Sequence, residues 1–252
     1  MQLQLLASAA IGAAAATLLL PRLKRALAKN ALKEPLTLSY FGIPGPGEPC
    51  RMLLALSGKT WENKDMAGAD GSWQKLKPKT KWGQIPIIET ADGMQLSQSV
   101  AMARLLAKLT IVDGVPLEDP LSAFAIDEFV DALQDMRTKF SSTFSIADPV
   151  EKANARKSLM TGDGAAAALW AKLEMAAGET YAVGDHMSLA DVWVGFVVGM
   201  CSSGFMDGLT AELLEPYPKL RAIAKRVYSL PALKDYYQMR ASEKALYKCF
   251  VV

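Results

Sequence analysis

Apolar and polar positions change rhythm twice along the 252-residue chain. Residues 1–20, "MQLQLLASAAIGAAAATLLL", hold no charged side chain, and Pro21, Arg22, Lys24 and Arg25 follow at once. About 20 residues at 1.5 Å each reach roughly 30 Å, the thickness of a bilayer core. Charge behind the apolar run rather than ahead of it favours an uncleaved anchor with the remaining chain facing the cytosol. Two other readings stay open: a cleaved peptide targeting another organelle, for which "ASA" resembles a cleavage site, and a segment with another role in a cytoplasmic protein.

Past this leader, short runs predict a mixed unit. A strand over 36–41 ("LTLSYF") enters a turn with Gly42, Pro44, Gly45, Pro46, Gly47 and Pro49, and a helix follows over 48–57. A loop containing "GADGSW", a strand over 85–90 ("IPIIET"), an "ADG" hairpin turn, a short strand at "MQLS" and a helix over 99–108 complete it. From residue 117 onward apolar residues recur at helical spacing, in "FAIDEFVDALQDM", "AAAALWAKLEMAA", "LADVWVGFVVGM" and "LRAIAKRVYSL", with almost no strand signal. The expected organisation is a leader over 1–34, an α/β unit over 35–110 and an all-helical unit over 111–252, linked through "TIVDGVPLED". The run "LADVWVGFVVGMC" is too short to span a membrane and contains Asp191, so it reads as a buried helix. Ser188 and Asp191 have capping-box spacing at its start.

Composition narrows the chemistry. A chain 51% hydrophobic and 21% charged can bury a substantial core, and a net charge of +2 without a basic, aromatic-interleaved run gives no footprint for nucleic acid. Cys50, Cys201 and Cys249 are odd in number and far apart, which excludes a CxxC pair and zinc-finger spacing and points to a reducing compartment. The single histidine, His186 in "GDHMSLAD", reads as a loop or helix-entry residue, and no Ser-His-Asp or metal-ligand set assembles. Cys50 falls in the first turn of a predicted helix, where the dipole could lower its pKa; a mixed-disulfide site is the lesser reading of it.

Two features bear on ligands. Pro86 cannot donate to a strand ladder, so it belongs at a strand start or edge, and a cis bond there would turn the Ile85 backbone outward to pair with an extended peptide. Gln98 and Ser99 open a helix whose free N–H groups favour a carboxylate, the plain alternative for Ser99 being an N-cap.

Taken in order, "LSYF", "SWQKLKPKTKWGQIPIIE", "LSQSVAMARLLA" and "GDHMSLADVWV" resemble the glutathione transferases, and among them the sigma class that includes haematopoietic prostaglandin D synthases and lens S-crystallins. The resemblance implies a thioredoxin-like N-terminal domain followed by an all-helical C-terminal domain, with glutathione as co-substrate and no metal. It implies that Tyr40 donates its hydroxyl hydrogen to the glutathione sulfur and so stabilises the nucleophilic thiolate. It further implies that Trp73 and Lys77 hold the glycyl end, Gln84 lines the groove, Ile85 before Pro86 pairs with the cysteinyl backbone, and Gln98 with Ser99 binds the γ-glutamyl carboxylate. Asp135 resembles the acid that reaches the γ-glutamyl amine of a neighbouring subunit, which implies a homodimer.

The second substrate would be a small hydrophobic electrophile or a peroxide, held between Phe41, Ile43, Arg137 and Phe140 along a helix over about 118–140. A departure stands beside these matches. Many relatives carry basic residues in the turn after the tyrosine, commonly "RGRAE", where this chain has "PGPGE" at Pro44 to Glu48. Pro44 and Pro46 preset a turn and supply no charge, while Glu48 and Arg51, three apart, read as a structural pair. The missing turn arginines and the leader support a second reading, a non-catalytic structural or ligand-binding subunit of a membrane assembly.

Overall fold

The computed structural model describes residues 31–68, 71–110, 119–244 and 246–247. The leader expected over 1–34 lies almost wholly outside the described residues, as do Cys249 and all but the ends of "TIVDGVPLED". The first part runs β1 (Leu36–Tyr40), α1 (Glu48–Ser57), β2 (Trp61–Asp65), α2 (Ser72–Leu76), β3 (Ile87–Glu89), β4 (Gln95–Ser97) and α3 (Ser99–Thr110). Helices α4 (Pro120–Lys139), α5 (Pro149–Met160), α6 (Ala165–Ala176), α7 (Leu189–Ser202), α8 (Pro218–Tyr228) and α9 (Pro231–Glu243) follow, with no strand among the described residues after β4.

The four strands lie in the order β2-β1-β3-β4. Strand β1 pairs parallel with β2 and antiparallel with β3, and β3 pairs antiparallel with β4. Leu36, Leu38 and Tyr40 are buried at 0%, 0% and 5% exposure and point to one face of the sheet, while Ser39 on the other face is buried as well and Thr37 is half-buried. Helix α1 is also set locally: a proline occupies its first turn, and Gly58 takes the left-handed conformation (φ 66°) that ends it.

Strand β2 and the five-residue α2 occupy sequence read as loop. The β2 segment "WENKD" is largely exposed and charged; as an edge strand it pairs on one side only, so no apolar alternation marks it. Strand β3 is shorter than expected, because the cis Ile85–Pro86 bond precedes it. Helix α7 is buried from Leu189 to Cys201, as its unbroken apolar run requires. The Ser188 N–H donates to Asp191 Oδ2 at 2.7 Å and the Ala190 N–H to Ser188 Oγ at 3.2 Å, completing the capping box.

One buried polar cluster ties the sheet, α1 and α9 together. Glu48 and Arg51, both 0% exposed, form an ion pair at 3.0 Å. Arg51 Nε donates to Asn63 Oδ1 of β2 at 2.6 Å, Nη2 to the Phe41 carbonyl at 2.7 Å and Nη1 to the Ile43 carbonyl at 2.9 Å. Glu48 accepts from the Tyr236 hydroxyl of α9 at 3.0 Å and from the Tyr247 hydroxyl at 3.2 Å. The structural pairing expected of Glu48 and Arg51 is thus present, and it extends into the helical region.

Removing one partner of such a pair strands the other charge in a dry interior. Arg51→Met is expected to cost about 3–5 kcal/mol of stability and Tyr236→Phe about 1 kcal/mol; urea denaturation midpoints of the two variants check the ranking.

Candidate active site

The register places several candidate residues at one edge of the sheet. Ser39 pairs with Ile87 and Ile87 with Ser97, the last paired row of β1, β3 and β4. One step beyond that row stand Tyr40, Pro86 and Gln98. Ile85, next to the cis bond, has neither its N–H nor its carbonyl in a backbone hydrogen bond among the described residues. Gln98 is the one non-glycine residue with positive φ among those described, at 71°. A left-handed glutamine costs about 1–3 kcal/mol where it is held, and such positions cluster at binding sites.

Ser99 is not the cap of α3: the first helical bond runs from the Met102 N–H to the Gln98 carbonyl at 2.9 Å, which leaves Ser99 as the first helical residue. Trp73, on α2, meets the Phe41 ring edge-on at 6.3 Å between centroids, and Phe41 in turn lies 5.4 Å from Tyr40. Lys77 caps the end of α2, is exposed, and passes Gly83, beside the exposed Gln84. Asp135 is exposed on α4, apart from this edge, and Ile43 is 37% exposed.

The turn after Tyr40 is built around its ring. A Cβ on Gly45 would sit 2.5 Å from the Tyr40 hydroxyl, and one on Gly47 would sit 2.6 Å from Cδ1 of the ring. Only glycine lets the backbone approach so closely. Beneath the turn the Arg51 guanidinium carbon lies 5.3 Å from the Tyr40 centroid. A cation is therefore present at this site, delivered from α1 instead of the turn. Position three after a helix-start glutamate was a visible signal; the inward direction of the side chain was not.

Burial pushes the Tyr40 phenol up to about 12, against the opposing charges of Arg51 and Arg137. The hydroxyl thus stays protonated as a donor, and no group among the described residues hydrogen-bonds it. The structure removes the lesser reading of Cys50. It is fully buried, its Sγ lies 3.5 Å from the Ser99 carbonyl, and burial raises its pKa to about 12, so the dipole at the helix start does not make it a thiolate.

Arg137 and Phe140 line a small apolar crevice with Met136, Phe144, Phe196 and Met200, with a cavity volume of about 20 Å³. Phe41 and Ile43 do not line it. His186 is exposed in the loop before α7. Among the described residues no three of His, Cys, Asp and Glu are grouped as metal ligands, and no helix is long and apolar enough to cross a membrane.

This two-part fold, a mixed four-stranded sheet followed by helices, is that of the glutathione transferases. Comparisons agree: the family "Glutathione S-transferase, C-terminal domain" matches residues 134–240. A haematopoietic prostaglandin D synthase of Gallus gallus is 32% identical over 204 residues, 81% of this chain and 95% of that protein. Glutathione S-transferase S1 of Drosophila melanogaster is 30% identical over 213 residues, 83% of this chain and 80% of that one. The solved structure of rat haematopoietic prostaglandin D synthase complexed with a quinoline superposes with a TM-score of 0.67 at 27% identity, covering 81% of this chain and 96% of that one. The chain belongs to the glutathione S-transferase family, on its sigma-like side.

Two outcomes follow from the packing of Tyr40. Gly47→Ala is expected to cost about 1–3 kcal/mol by overpacking, and much less in a Tyr40→Ala background, a coupling that a double-mutant cycle on urea midpoints reads out. The folded pKa of Tyr40, about 12, lies above the ordinary value of 10.0. Its contribution to stability is therefore intact below about pH 10 and lost as pH rises toward 12. Urea midpoints at pH 8 and pH 11 should fall less in Tyr40→Phe than in the parent.

Proposed function

We propose that the protein is a glutathione transferase in which Tyr40 activates the thiol. The observation that carries this reading is the Tyr40 hydroxyl itself, which burial keeps protonated and which has no hydrogen-bond partner among the described residues, on the residue that the strand register sets one step beyond the row closed by Ile87 and Ser97. A thiol of pKa near 8.5 is only a few per cent ionised at pH 7, and each unit of depression corresponds to about 1.4 kcal/mol. A hydrogen bond to a charged sulfur, about 1.5–3 kcal/mol, suffices for a shift of one to two units.

In this reading the domain over 35–110 binds glutathione. The Ile85 N–H and carbonyl pair with its cysteinyl backbone, Gln98 and Ser99 take the γ-glutamyl carboxylate, and Trp73, Lys77 and Gln84 flank the glycyl end. The domain over 111–252 supplies the apolar substrate wall, with Arg137 and Phe140. The thiolate sulfur gives its electron pair to an electrophilic carbon as the leaving group departs with its own bonding pair. With a peroxide the S–O bond forms as O–O breaks, the alkoxide takes a proton, and a second glutathione converts the sulfenic acid to disulfide and water. Asp135, exposed on α4, is available to the γ-glutamyl amine bound by a second copy, which makes the working form a homodimer. Residues 1–20 would attach it to a membrane facing the cytosol.

The full chain is expected to be retained on immobilised glutathione and to conjugate a generic aromatic electrophile. Tyr40→Phe should lower the rate about 10- to 100-fold at pH 7, the thiolate population lost with one to two pKa units, while still binding the matrix. An unchanged rate in Tyr40→Phe removes the tyrosine mechanism. A folded protein that ignores glutathione removes the enzyme and leaves the non-catalytic subunit.

A further inference from the structure

The cation nearest the candidate tyrosine is not in the turn that follows it. Gly42 to Gly47 carry no charged side chain, and Arg51 of α1 takes the face of the Tyr40 ring instead, its guanidinium carbon 5.3 Å from the centroid. The guanidinium is fixed there. Its Nε is held by Asn63 at 2.6 Å and its terminal nitrogens by Phe41, Ile43 and Glu48 at 2.7, 2.9 and 3.0 Å, with the side chain fully buried. A cation over the face of a ring acts through the ring electrons, so the Tyr40 hydroxyl keeps its freedom to donate.

After burial, three charges bear on the Tyr40 phenol: Arg51 most and then Arg137, both favouring release of its proton, and Glu48 opposing it. Arg137 is half-buried on α4, whereas Glu48 and Arg51 are both 0% exposed on α1. A pair enclosed by protein is little screened by water or salt, so its field at the ring is strong and constant. The groups around the pair are charged or titratable as well. Tyr236 and Tyr247 donate to Glu48, the Arg240 guanidinium lies 4.6 Å from the Tyr247 ring, and Lys244 pairs with Asp65 beside Gly42.

We propose that Arg51 is the positioning residue of the thiol chemistry: its guanidinium on the face of Tyr40 supplies the positive field at the hydroxyl, and Glu48 beside it trims that field. The inference rests on the reading in which Tyr40 donates to the glutathione sulfur. For the fold the two charges are partners, and losing either one harms the same cluster. For negative charge developing at the hydroxyl they act in opposite senses. That opposition separates a field from a merely structural pair, whose loss moves the site the same way whichever member is removed.

The test titrates two groups in the full chain: bound glutathione, by the ultraviolet absorbance of its thiolate, and the phenol, by the fluorine resonance of ortho-fluorotyrosine placed at position 40. Arg51→Met is expected to raise both pKa values, the thiol by about one unit, which leaves tenfold less thiolate at any pH below it. Glu48→Gln should lower both. Arg51→Lys should keep both near the parent values, since it retains the charge while losing the fork of hydrogen bonds. Urea midpoints are expected to fall in all three variants, so stability and acidity move independently. Shifts of the same sign in Arg51→Met and Glu48→Gln, or no shift in either, overturn the proposal. Where Arg51→Met does not fold, an unchanged or raised pKa in Glu48→Gln overturns it equally. Should Tyr40→Phe leave the bound-thiol pKa unchanged, the tyrosine reading fails on its own account, and the phenol shifts still decide whether Arg51 sets the field at the hydroxyl.

Discussion

A charge enclosed by protein persists only where its surroundings replace water, and Arg51 meets that condition with five acceptors: Asn63, Phe41, Ile43, Glu48 and Tyr247. Burial is the largest single influence and works against the guanidinium, yet Glu48 with Tyr236 and Tyr247 together outweigh it and hold the proton more firmly than usual. Two of the acceptors are backbone carbonyls of the turn after β1. The shape of that turn is thus fixed from below by a side chain on α1. The same cluster reaches β2 through Asn63 and α9 through Tyr236. Sheet, turn and distal helix are bound into one unit by a network in which each member satisfies another, so the loss of any one exposes the rest to the full cost of desolvation.

The chemistry at the sheet edge inherits this frame. The turn presses its glycines onto the ring of Tyr40, and the ring is buried in consequence. Burial is the largest influence on the phenol and keeps it neutral, while the nearby cations act in the opposite sense. The balance leaves a hydrogen-bond donor: a neutral phenol keeps its proton, which a phenolate would lack. Arginine beneath the ring adds positive potential without offering a competing hydrogen bond to the hydroxyl.

Much of this was written in local patterns. The alternation of Leu36, Leu38 and Tyr40, the helix starting at Glu48, the unbroken run of α7 and its Ser188–Asp191 cap all depend on short-range rules, and the structure agrees with them. Strand β2 escaped because an edge strand needs a partner more than it needs apolar residues. Cys50 left a second reading open because its place in a helix start says nothing of its depth. The prolines and glycines of the turn read as a missing cation. What they do is make room for the tyrosine, and the cation comes from a residue whose direction only three-dimensional packing decides. Arg137 was legible as a pocket residue; that its Nε is buried with no partner among the described residues was not.

Tyr236 and Tyr247 stand 188 and 199 residues after Glu48, and that separation has a temporal meaning. At about 5–20 residues per second, a ribosome needs roughly 10 to 40 seconds to add the hydroxyls that close the cluster. Through that interval the nascent sheet must keep Glu48 and Arg51 in contact with water or with a chaperone. The sheet edge that carries Tyr40, encoded early, therefore matures late, and a chain interrupted before α9 would carry Glu48 and Arg51 on a scaffold that cannot yet bury them.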